Sequence, residues 1–68
     1  MMKTRLEVVA HLIEECSEVQ HALAKLIRHG ERPCWEGIQY DNVADAHREI
    51  RDVEKRIAEF REAFPEGA

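Results

Sequence analysis

Two short acidic motifs hold the side chains of this sequence best suited to chemistry. Glu14-Glu15-Cys16-Ser17-Glu18 reads E-E-x-x-E, and Glu49-Ile50-Arg51-Asp52 reads E-x-x-D. Both lie in sequence with helical character, where residues three apart sit on neighbouring turns of one face. Each motif therefore aims two carboxylates at one point. Four carboxylates so placed suit a hard divalent cation such as Mg²⁺, a common device of phosphate chemistry.

The elements that must position these acids follow from the apolar spacing. Leu6, Val9, Leu12, Ile13, Cys16, Val19, Leu23, Leu26 and Ile27 recur with helical period and no Pro or Gly interrupts them. Thr4, three before Glu7, offers a capping box, and Gly30 after His29 offers a stop in the left-handed conformation. This predicts a helix over about 5–29. Residues 30–41 hold Pro33, Gly37 and the single Trp, Trp35, and read as a loop without strands. Asp41 or Asn42 can cap a second helix over about 42–64, with its stripe at Val43, Ala46, Ile50, Val53, Ile57, Phe60 and Phe64. Pro65 and Gly67 end it.

The fold class is therefore all-α, with residues 1–68 as one helix–loop–helix domain. At 68 residues the chain buries a limited core. Two helices cover only one side of each stripe, so the cheapest completion is a homodimer or tetramer forming four-helix bundles.

At about 100° per residue, Glu15 and Glu18 fall at and beyond one border of the first apolar arc. Glu49 and Asp52 fall beyond the same-handed border of the second. Antiparallel helices packed through their apolar faces bring those borders to one edge, so both acidic pairs meet there. Glu14 points further away, into solvent. The plain alternative is that these acids are solvated or neutralised by Arg48, Arg51 and Lys55.

Composition narrows the function classes. Fourteen acids against ten bases give a net charge of −4, which argues against a general nucleic-acid-binding role. A metal-bound nucleotide stays compatible, because the cation bridges acid to phosphate. Cys16 and Cys34 lack metal spacing and read as free thiols of a reducing compartment. Charges at Glu7, Glu14 and Glu15 exclude a signal peptide and a membrane span. The expectation is a soluble, cytoplasmic protein.

The remaining polar and aromatic residues each have a bland reading. Lys25, on the flank of Glu18 two turns on, is a phosphate contact or a surface lysine. Asn42 bonds a sugar or base, or caps a helix. Trp35 and Tyr40 are expected to pack under the loop rather than stack on a base. Glu18-Val19-Gln20-His21 matches the E-x-x-H of di-iron bundles, but His21 lies far from the apolar arc. His11, one turn before Glu15, is better placed yet is expected to be solvated, as are His29 and His47.

The stretch from Leu12 to Lys25, with Glu15 and Glu18 inside it, resembles the first motif helix of MazG-like all-α nucleotide pyrophosphohydrolases, in particular small phage and bacterial members. Lys25 and Arg28-His29-Gly30 resemble that family's basic residue and helix end. Asn42 and Arg48-Glu49-Ile50-Arg51-Asp52 resemble its Asn and second motif. The likeness covers roughly Leu12 to Val53. His29 departs from it, standing where a Phe is frequent. Glu54-Lys55-Arg56 also departs, being charged where the family continues apolar, and the extra helices of longer members are missing.

The resemblance implies a Mg²⁺-dependent enzyme, with Mn²⁺ as substitute, cutting a nucleoside triphosphate between its α and β phosphates. The products are a nucleoside monophosphate and pyrophosphate. It implies Glu15, Glu18, Glu49 and Asp52 as metal ligands and Glu18 as the group that orients or deprotonates water. Lys25 and Asn42 are then substrate contacts. The alternative is a catalytically inactive nucleotide-binding or protein-interaction module on the same scaffold.

Overall fold

The computed structural model describes residues 3–67, so Met1, Met2 and Ala68 of the expected 1–68 domain lie outside the described residues. Helix α1 spans Arg5–His29 and helix α2 spans Asn42–Ala63, antiparallel partners joined by a short β-hairpin. The start of α1 is a full capping box. The Glu7 amide donates to Thr4 Oγ1 at 3.1 Å, and the Thr4 amide donates to Glu7 Oε1 at 3.2 Å. Gly30 closes α1, its amide donating to the Leu26 carbonyl at 3.0 Å. Its φ of 82° falls where only glycine sits without strain, although its ψ of −176° is extended rather than left-handed helical.

The expectation of a strandless loop needs correction. Strand β1, Cys34–Trp35, pairs antiparallel with β2, Ile38–Gln39. Between them Glu36 and Gly37 both have positive φ, 51° and 77°. Two such residues in a row give the two-residue turn whose twist matches a hairpin. The hairpin is tied down at its base. The Tyr40 amide donates to the Pro33 carbonyl, and the Asn42 amide to the Glu31 carbonyl, both at 2.9 Å.

Asp41 caps α2, its Oδ1 accepting from the Ala44 amide at 3.0 Å. At the far end Phe64 stacks on Phe60, and the Arg5 guanidinium lies 4.1 Å above the Phe64 ring. Lys3 pairs with Glu59 at 3.0 Å, so the start of α1 and the end of α2 are bound together by charge as well as by apolar contact.

The helices meet through a narrow strip. Among the described residues, Val8, Ala22 and Ala46 are the buried apolar ones, and no large side chain is fully buried. Small alanines at the contact let the backbones approach closely. Most of the α1 stripe is left uncovered: Leu6, Ile13, Leu23 and Ile27 are exposed, Ile27 at 87%. Both helices turn one border of their apolar arcs inward, so the rest of both arcs looks out on the side away from the acids. Two shallow hollows there share Leu12 and Phe60 and continue over Val9, Ile13, Cys16, Ile57 and Phe64. No described helix is long and apolar enough to cross a membrane.

Candidate metal centre

Glu15 and Glu18 sit on successive turns of α1, and Glu49 sits opposite on α2. Helix period puts Glu15 toward the partner helix, where its side chain is only 16% exposed. Glu49 matches it at 18%. Glu18 lies one turn on and is exposed. One carboxylate oxygen from each of the three falls within 4.8 Å of the others. Asp52, expected as the fourth member, is half-buried and lies outside this group. Glu14 is exposed, as expected. Glu15 and Glu49 are thus not on an open edge. They lie in the seam between the helices, because α1 turns the border of its arc, rather than the centre, toward α2.

Crowding three carboxylates has an electrostatic consequence. The Glu18 carboxyl is raised from its ordinary 4.5 to about 7. The largest cause is its hydrogen-bonding contact with Glu49, then that with Glu15, then repulsion from the Glu15 charge. At neutral pH Glu18 therefore holds a proton part of the time. Glu15 Oε2 and Glu49 Oε2 are shut away from solvent without a hydrogen-bond partner among the described residues. Their other oxygens face arginines. Arg56 Nε lies 3.8 Å from Glu15 Oε1, and Arg48 Nε lies 3.8 Å from Glu49 Oε1. Arg48 also pairs with Asp45 at 3.2 Å. Among the described residues, Arg48 and Arg56 neutralise these acids, not the Arg51 and Lys55 that the sequence offered.

Lys25 and Asn42 belong to a separate hollow of about 270 Å³ at the hairpin end, lined also by His29, Pro33, Trp35, Tyr40 and Asp45. Neither Glu18 nor Glu49 lines it. Asn42 is 4% exposed, and its Nδ2 donates to the Gly30 carbonyl at 3.0 Å. That bond ties the end of α1 to the start of α2, a structural duty the sequence left undecided between capping and ligand contact. Asp41 holds the cap. Trp35 is 70% exposed and Tyr40 43%, so neither packs under the loop as expected. A two-residue strand gives Trp35 no layer to pack against.

His11 also departs from expectation. It is half-buried beside the helix seam, with Nδ1 closed to solvent and unpartnered among the described residues. Its spacing of four from Glu15 was the available signal. Arg56 was missed as well. Its signal was its place seven residues after Glu49, two turns along one face of α2.

Comparison with family models, with curated proteins and with solved structures gives no match.

Proposed function

We propose that this chain is a small MazG-like nucleotide pyrophosphohydrolase, acting on nucleoside triphosphates with a divalent cation. The observation that carries the reading is the meeting of Glu15, Glu18 and Glu49 within 4.8 Å across two helices. The donor set fits the cation. It is all carboxylate oxygen, the preference of Mg²⁺ and Mn²⁺, and Glu15 and Glu49 each have one buried oxygen without a partner among the described residues. When bound, the cation supplies charge neutralisation at the phosphates and acidifies water.

The chain's own residues have separable parts. Glu15 and Glu49, held in the seam, provide fixed negative charge. Glu18, the exposed member of the three, is the group to accept a proton from the attacking water. Lys25, in the hairpin-end hollow, is a cationic contact for the nucleotide's remote end, beside the exposed Trp35 ring. Asp52, a turn beyond Glu49, supports the site from outside the group of three. Asn42 contributes by fixing the hairpin.

A homodimer or homotetramer completes the fold in this reading. The open apolar side carries Leu6, Ile13 and Ile27, and a second copy laid on it gives each hairpin the second layer of a four-helix bundle. Glu18 lies on the opposite side and stays open to substrate, with Glu15 and Glu49 behind it in the seam.

A second reading is an inactive nucleotide-binding or protein-interaction module. The ion pairs of Arg48 and Arg56 favour it, since they balance the acids without a cation. Pyrophosphate release from a panel of ribo- and deoxynucleoside triphosphates, with and without Mg²⁺, separates the two. Mg²⁺-dependent release supports the enzyme, and none with any nucleotide supports the module.

A further inference from the structure

Arg56 occupies a position that the proposed chemistry does not use. Its side chain is 29% exposed, and its guanidinium stands between two acids from different helices. On one side Nη1 donates to Glu59 Oε1 at 3.1 Å. On the other, Nε faces Glu15 Oε1 at 3.8 Å. The two contacts differ in kind. The first is a charge-assisted hydrogen bond, and Glu59 is itself fixed by Lys3 at 3.0 Å. The second is too long for a hydrogen bond, and Nε has no hydrogen-bond partner among the described residues. Arg56 therefore acts on Glu15 by charge alone, and a cation arriving there displaces no hydrogen bond.

We propose that Arg56 is the resident counter-charge of Glu15, as Arg48 is of Glu49, and competes with the divalent cation for Glu15. The proposal rests on the reading of that group as a cation site. A positive charge about 4 Å from a ligand carboxylate opposes a second positive charge at the same carboxylate, and the seam between the helices screens the two less than open water does. The hold of Glu59 sets how far Arg56 leans toward Glu15. The site thus carries its own threshold: Glu15 stays neutralised by Arg56 at low cation concentration and exchanges that partner for the metal at high concentration. The two acids make opposite demands on Arg56, so substitutions at its two ends have opposite effects.

Calorimetric titration with Mn²⁺ at pH 7.5 tests this on the full chain, using wild type, Arg56→Met and Glu59→Gln, with circular dichroism to verify the helices. Arg56→Met removes the competitor and keeps the stem, and Mn²⁺ should bind about fivefold tighter, the size expected of a partly exposed ion pair. Its metal-free melting temperature should fall and the rise on adding Mn²⁺ should grow. Glu59→Gln loosens the outer hold, and Mn²⁺ should bind more weakly than to wild type. Arg56→Gln serves where the Met variant fails to fold. Equal or weaker binding to the folded Arg56 variants, with wild type binding Mn²⁺, overturns the role of Arg56 and leaves the cation site standing. No binding to wild type or any variant overturns the cation reading and this proposal with it.

Discussion

The Glu18 carboxyl meets that of Glu49 across the helix pair, and this contact, with that of Glu15, raises the Glu18 pKa from 4.5 to about 7. An acid whose folded pKa is raised favours the folded state fully below its unfolded pKa. That contribution is lost as pH climbs through the folded value. Metal-free protein should therefore lose stability from about pH 4.5 to about 7 and level off above. Glu59 works the other way. Lys3 and Arg56 hold its pKa below 4.5, so its contribution is present at neutral pH and disappears only in stronger acid. Melting temperatures between pH 5 and 8 in chelator should show the decline, and Glu18→Gln should flatten it. Parallel slopes for the two proteins would refute the raised Glu18 pKa.

Cation binding should reverse the neutral-pH loss. At pH 7.5 millimolar Mg²⁺ or Mn²⁺ should raise the melting temperature, since a ligand of the native state stabilises it by mass action. Glu15→Gln, Glu18→Gln and Glu49→Gln should each lose most of this response and most turnover while keeping their helices. Asp52→Asn, outside the group of three, should lose less than these, and Glu14→Gln least. A Glu14→Gln protein as impaired as Glu18→Gln would place the active face on the outer side of α1.

Asn42→Ala should cost about 1–3 kcal/mol of stability, because it leaves the Gly30 carbonyl without its side-chain donor and opens a gap at a buried position. Chemical denaturation reads this directly. A near-neutral result would mean that water replaces the amide and that Asn42 is free for a ligand role.

Ile13 is 65% exposed in a single hairpin, so Ile13→Glu should be nearly neutral for an isolated chain. In a four-helix bundle it buries an unpaired charge, and the protein should dissociate. Sedimentation at micromolar concentration should show wild type as a dimer or larger even oligomer and Ile13→Glu as a smaller species. Wild type sedimenting as a stable monomer would rule out the bundle.

The sequence carried most of the architecture because its signals were local. Thr4, Glu7, Gly30 and Asp41 are end markers whose bonds form within a few residues, and α1 and α2 follow from them almost to the residue. The hairpin escaped because Glu36-Gly37 is a weak version of the Asn-Gly or Asp-Gly turn signal and its strands are two residues long. The pairing of Glu15 with Glu18 followed from helix period. Their meeting with Glu49 followed from the hand of an antiparallel pair. The exclusion of Asp52 and the arrival of Arg56 depend on which border of each apolar arc turns inward, and that is settled by tertiary packing around Ala22 and Ala46. Trp35 was misjudged because burial needs a partner layer, and the hairpin has none.

Phosphorus NMR of a nucleoside triphosphate incubated with Mg²⁺ and either wild type or Glu18→Gln tests the central claim most directly. The account predicts that wild type yields nucleoside monophosphate and pyrophosphate, from cleavage between the α and β phosphates, and that Glu18→Gln yields neither above background. Release of inorganic phosphate instead, or pyrophosphate formation that Glu18→Gln retains in full, would contradict it.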